Sequence, residues 1–215
     1  MGYDLYYWPV PFRGEFVRAI LAFAGTSWTE HGPDEIAALM ARGPAGQPVG
    51  FMGPPVLIDG DPADGGLALS QMPAIALHLG ERLGLLHGGV AMTAKVVGDA
   101  NDVLDEITLD GGRLMWTLDT WVAFVPRLKR WMAIFEAVGA RHGLHEDGGF
   151  LLGTAEAGVA DIVTATLWGT MGDRFPALAA MLAETAPRTA TLVGRMRATP
   201  ALAARRARAE AEYGD

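Results

Sequence analysis

The chain has 215 residues, 50% hydrophobic and 20% charged, with 28 glycines, 13 prolines and no cysteine. That composition fits one or two folded domains, and the missing cysteine excludes a disulfide scaffold, a thiolate zinc site, an iron–sulfur cluster and a cysteine nucleophile. A net charge of −8, from 17 Lys+Arg against 25 Asp+Glu, carries no basic surplus for phosphate backbones, so no nucleic-acid partner is expected.

The first 83 residues read as a small α/β layer. Tyr3–Trp8 alternates, with Leu5 and Tyr7 on one face and Tyr6 and Trp8 on the other, which predicts a strand closed by Pro9 and Pro11. A helix follows from near Arg13: Phe16, Val17, Ile20, Leu21 and Ala24 recur at helical spacing, Glu15 and Arg18 fall off that stripe, and Gly25 stops it. Ser27–His31 is a second strand. Residues 32–53, rich in Gly and Pro, form an irregular segment with a weak helix near Glu35–Met40. Pro55–Asp59 is a strand, Gly60–Gly66 a turn and Leu67–Leu69 the last strand, and Pro73 opens a helix that runs to about Arg82.

Strand signals end at His87-Gly88-Gly89, and residues 84–92 read as a linker. The remainder, 93–215, is helical. Val96, Val97, Ala100, Val103, Leu104 and Ile107 form the stripe of a helix over about Thr93–Leu109. Further helices are expected over Leu118–His142, Val159–Gly172, Pro176–Glu184, Pro187–Met196 and from Pro200 onward. Arg195, Arg197, Arg205, Arg206 and Arg208 read as a solvated helix face. No stretch reaches the ~18 apolar residues of a membrane span, and no cationic start precedes an apolar core. A cytoplasmic protein with no membrane association is the expectation.

Taken residue by residue, the chemistry is sparse. Five histidines offer no i, i+4 metal pair; His142 and His145 stand three apart, but Gly143 places them at a helix end, and no metal site is expected. There is no phosphate loop after a strand and no nucleophile elbow.

The order of segments is more specific. Leu5-Tyr-Tyr-Trp-Pro-Val, Arg13-Gly-Glu-Phe-Val-Arg18, Pro54-Pro-Val-Leu-Ile-Asp-Gly60, Leu69-Ser-Gln-Met-Pro-Ala-Ile, Asn101-Asp102 and Gly158-Val-Ala-Asp161 occur in sequence over nearly the whole chain. In that order and spacing the chain resembles the glutathione S-transferases, nearest the tyrosine-type pi and sigma groups. The resemblance implies a thioredoxin-like N-terminal domain (1–83) followed by an all-α C-terminal domain (93–215). It also implies a homodimer with glutathione as co-substrate.

Site residues follow from that resemblance. Tyr7 matches the catalytic tyrosine, whose hydroxyl would favour the thiolate of glutathione, a thiol of pKa about 8.5 when free. Tyr6, its neighbour, alternates to the opposite face. Pro55 matches the family's cis-proline, and Pro54 before it offers the peptide a carbonyl but no N–H. Gln71 matches the residue that holds the γ-glutamyl carboxylate at a helix N-terminus. Met72 stands where the family has serine, so its main-chain N–H is the expected contact; Ser70 alternates away. Arg13 and Asp102 match residues that reach the γ-glutamyl end, Asp102 from the partner subunit. Arg42 and Gln47 are the polar side chains available for the glycyl carboxylate in residues 32–53. Trp8, Val10, Met115 and Trp116 match the apolar electrophile pocket, and Asp161 matches a buried helix-start acid of structural role.

These matches imply conjugation of the glutathione thiolate to hydrophobic electrophiles, or reduction of organic peroxides. The absent serine leaves open a non-catalytic glutathione- or hydrophobe-binding protein, and a transferase-like assembly scaffold is the third reading.

Overall fold

Residues 2–61, 66–108 and 116–213 are described by the structure, a computed structural model. They form two compact units, one of residues 1–83 with 200–215 and one of residues 84–199.

The first unit is built on a four-stranded sheet of β1 (Tyr3–Tyr6), β2 (Trp28–His31), β3 (Val56–Asp59) and β4 (Leu67–Ser70), in the order β2-β1-β3-β4. β1 and β2 are parallel and are joined through α1 (Arg13–Phe23). β3 and β4 then run antiparallel to their neighbours. The alternation read for β1 holds: Tyr3, Leu5 and Tyr7 are buried while Asp4 and Tyr6 are partly exposed. The strand ends at Tyr6, two residues before the expected end, although the Tyr7 N–H still donates to the His31 carbonyl at 3.2 Å.

α1 packs against α3 (Met72–Arg82), and Phe16, Val17, Ile20 and Leu21 bury with Ile75, Ala76 and Leu79. Helix α2 (Pro33–Met40) crosses the irregular segment and buries only Ile36 and Leu39. Glu15 and Arg18, expected off the apolar stripe, are 5% and 2% exposed, because α1 is buried on every side from Gly14 to Leu21. Of the turn expected at Gly60–Gly66, residues 62–65 lie outside the described ones.

The second unit holds α4 (Val90–Ile107), α5 (Leu118–Arg141), α6 (Val159–Arg174), α7 (Pro176–Thr185) and α8 (Pro187–Arg197). α6 is its centre, packed by α4, α7 and α8. From Val159 to Ala165 every residue of α6 is buried, including Asp161 and Thr164, whose oxygens are hydrogen-bonded to the backbone within the unit. The helix α4 starts at Val90, so three residues expected in the linker are helical. Its N-cap glycine, Gly89, accepts from the Thr93 N–H and hydroxyl and has φ 85°, a backbone that side-chain-bearing residues rarely adopt.

The last helix, α9 (Pro200–Tyr213), groups with the first unit, whereas the sequence reading attaches it to the helical half. It packs on α1. The five C-terminal arginines are correspondingly not one solvated face: Arg206 and Arg208 are exposed, Arg195 and Arg197 are partly covered, and Arg205 is buried.

Candidate active site

Register places the predicted residues of the first unit. Tyr6 pairs with Val56 across β1 and β3, and Val56 pairs with Ser70 across β3 and β4. The residues next outward are Tyr7, Pro55 and Gln71. All three therefore stand at one end of the sheet, on adjacent strands, with helix α3 starting immediately after Gln71. At about 4.8 Å per strand, the backbones of Tyr7 and Gln71 are about 10 Å apart. An extended tripeptide spans about the same length.

Tyr7 is 3% exposed and lies against the first turn of α1. The close approach needs glycine at position 14: a Cβ there would meet Tyr7 Cδ1 at 2.2 Å and Cγ at 2.3 Å. The main-chain N–H groups of Arg13 and Gly14 lie toward the phenol oxygen and favour its anion, and α1 has no side-chain cap of its own. Burial raises the Tyr7 pKa above the ordinary tyrosine value; the Arg13 charge, the two N–H groups and the Arg18 charge oppose that rise. The ring packs at 5.6 Å from Trp8 on one side, and the Arg18 guanidinium carbon is 5.6 Å from its centroid.

The Pro54–Pro55 peptide bond is cis, and both prolines are buried. Gln71 is exposed and has φ 73°, the sole non-glycine with positive φ among the described residues. A backbone held in that region costs on the order of 1–3 kcal/mol, and such outliers cluster at ligand sites. Met72 opens α3 fully buried, so its side chain serves the core while its N–H is one of the free amides of a helix start. Trp8 is 40% exposed with Gly53 near the outer edge of its ring, and Val10 is partly covered.

Elsewhere the expected residues divide. Gln47 turns inward, its side-chain oxygen accepting from the Phe51 N–H at 2.9 Å, and Arg42 is exposed. Asp102 is exposed on α4, in the second unit. Trp116, also there, donates its indole N–H to the Ile107 carbonyl at 2.8 Å and stacks on Phe124 at 4.8 Å. Met115 lies outside the described residues. His142 is bonded to the Val138 carbonyl, and among the described residues no group of three or more His, Asp or Glu is placed to hold a metal ion.

Sequence reasoning missed Arg18. Its guanidinium is 2% exposed, takes both oxygens of Glu30 at 2.6 and 3.0 Å, and donates to the carbonyls of Trp8 at 3.2 Å and Val10 at 3.5 Å. It fixes the turn between Tyr7 and α1. The one signal for it was a charged residue inside an otherwise apolar run.

Comparison with known proteins settles the lineage. Residues 92–215 match the family model described as glutathione S-transferase, C-terminal domain. The chain belongs to the glutathione S-transferase family. Glutathione S-transferase P of Bos taurus is 33% identical over 117 residues, 54% of this chain and 51% of the bovine protein. The chain thus spans about half the length of that curated relative. The Pi-class glutathione S-transferase of Onchocerca volvulus has the same fold with a TM-score of 0.71, at 18% identity over 98% of this chain and 95% of its own. A glutathione transferase family member from Pseudomonas fluorescens, with two glutathione bound, gives a TM-score of 0.69 at 20% identity, covering 95% of this chain and 92% of its own. The thioredoxin-like first unit and helical second unit of the transferase fold are therefore those of this family member.

Proposed function

We propose that this transferase-family protein binds glutathione along the sheet end of its first unit and joins the glutathione sulfur to apolar electrophiles. The observation that carries the reading is Tyr7: a buried phenol held at the uncapped start of α1, one strand from the cis-proline and two from the strained Gln71.

The chemistry follows from the proton. A thiol of pKa about 8.5 is mostly protonated at neutral pH and must lose its proton to become nucleophilic. Because burial raises its pKa, Tyr7 keeps its own proton and donates it in a hydrogen bond to the sulfur anion. The two amides at the α1 start and the nearby Arg13 add positive potential at the same place. The thiol proton leaves to solvent, the thiolate attacks the electrophilic carbon, and the leaving group departs with its electron pair. With a hydroperoxide the same anion would attack the terminal oxygen, breaking the O–O bond to leave the alcohol and a sulfenic acid, and a second glutathione thiolate would displace that hydroxyl as water to release the disulfide.

Pairing of the tripeptide runs along the prolines and α3. The Pro54 carbonyl accepts, the N–H of Met72 and the Gln71 side chain hold the γ-glutamyl carboxylate, and Arg13 adds charge. Asp102, from a second copy, is the proposed partner of the γ-glutamyl amine. Trp8 and Val10 are the proposed apolar contacts of the electrophile on the first unit. A homodimer in the cytoplasm, acting in detoxification, is the setting this reading implies.

The test has two stages. Retention on immobilised glutathione is the expected first result, and turnover with chlorodinitrobenzene or an organic hydroperoxide the second. Retention without turnover would favour the non-catalytic binding protein, which the loss of a hydroxyl at Met72 supports. No retention would leave the assembly scaffold.

A further inference from the structure

Arg205 lies 190 positions along the chain from Glu15, yet the two are paired inside the first unit. Arg205 is 5% exposed, and its Nε and Nη2 donate to the two Glu15 oxygens at 2.7 and 2.9 Å. The same guanidinium reaches Glu212 at 3.3 Å, and Glu212 also accepts from Arg208 at 2.7 Å. Glu15 is 5% exposed and sits in the first turn of α1, beside the Gly14 that carries the Tyr7 ring.

The Glu15 carboxylate faces a second cation. Arg18 Nη1 is 3.6 Å from it, and this nitrogen is the one that donates to the Val10 carbonyl at 3.5 Å. Arg18 is thus shared among Glu15, Glu30 and the carbonyls of Trp8 and Val10. A buried carboxylate deprived of one cation either takes up a proton or draws in another cation. Here the cation at hand is Arg18. Moving its Nη1 toward Glu15 would lengthen the Val10 bond and shift the guanidinium beside the Tyr7 ring.

We propose that Arg205 is a positioning residue for Tyr7: by neutralising Glu15 it leaves Arg18 to hold the Trp8–Val10 turn, and with it the phenol, at the start of α1. This inference rests on the reading of Tyr7 as the thiol activator. A helix that merely anchored the C-terminus would change stability and nothing else.

The readout is the pKa of the bound glutathione thiol, followed by thiolate absorbance of the binary complex and by the pH profile of kcat/KM with chlorodinitrobenzene. Arg205→Met is expected to raise that pKa by about 0.5 or more, toward the free thiol, with the glutathione Kd changed less than about threefold. Arg205→Lys keeps the charge but loses the fork, and should give a smaller rise. Combining Arg205→Met with Tyr7→Phe should add nothing to Tyr7→Phe alone, because both act on one hydroxyl.

A folded Arg205→Met with an unchanged thiol pKa overturns the proposal, as does full additivity in the double variant. If Arg205→Met does not fold, Arg205→Gln decides, since it removes the charge but keeps a polar group for Glu15, and an unchanged pKa there overturns the proposal equally. Should Tyr7→Phe itself leave the thiol pKa where it was, the reading of Tyr7 falls and this inference with it. If Tyr7→Phe moves the pKa while the Arg205 variants do not, only the role of Arg205 falls.

Discussion

Two helix starts in this protein meet the same physical demand in opposite ways. At the start of α6, Asp161 is 2% exposed and accepts from the Leu151 N–H at 2.7 Å and the Gly158 N–H at 2.9 Å. That end is sealed by a carboxylate whose oxygens are used within the unit. Gly158 is required there because a Cβ would meet the Leu85 carbonyl at 2.7 Å. At the start of α1 there is no side-chain cap, and Glu15, the acid of the first turn, pairs with Arg205 and Arg18. The N–H groups of Arg13 and Gly14 face a phenol instead.

Burial raises the pKa of both Asp161 and Tyr7, and main-chain N–H groups oppose it in both. The difference is that a phenol still has a proton to donate. One helix start is used up within the fold; under the proposed function the other keeps its potential for a ligand.

The contrast can be broken from either side. Asp161→Ala leaves two buried N–H groups without their acceptor and should cost about 4 kcal/mol, read from urea unfolding, while turnover per folded molecule stays within about twofold. Tyr7→Phe should do the reverse: turnover with chlorodinitrobenzene falls about a hundredfold, about 2.7 kcal/mol in the barrier, with little change in the urea midpoint. A Tyr7→Phe enzyme as fast as the original would end the parallel.

Gly14→Ala tests the contact itself. The added methyl cannot coexist with the ring where it stands, so about 2 kcal/mol of stability and most of the turnover should be lost together, measured by denaturation and steady-state kinetics. The smallest effect is alkaline. The folded Tyr7 pKa lies above the ordinary 10.0, so above that pH the folded protein holds a proton the unfolded chain has released. Stability therefore falls as pH rises past about 10, and Tyr7→Phe should flatten that part of the pH–stability curve.

Sequence patterning carried most of the architecture. Period-2 alternation in Tyr3–Trp8, helical spacing in Phe16–Leu21 and in Val96–Ile107, and proline at the starts of α7, α8 and α9 are local signals, and each marks its element within a few residues. That Tyr7, Pro55 and Gln71 border strand or helix ends was legible locally; their roles were implied only by the resemblance, through the order and spacing of the segments around them. What escaped were residues defined by a distant partner. Glu15 and Arg18 look like the wet side of α1, since nothing near them in the chain announces Arg205 or Glu30. The C-terminal arginines look alike for the same reason, although one of them is buried and the next is exposed.

The sequence alone therefore determined a sheet-and-helix unit followed by helices, the absence of any thiol of its own, and a tyrosine at the end of the first strand. Tertiary structure decided which charges are buried and where the last helix belongs. Apolar periodicity acts over one or two turns and is visible in any window of the chain, whereas a buried ion pair exists only when folding brings its two halves together from opposite ends.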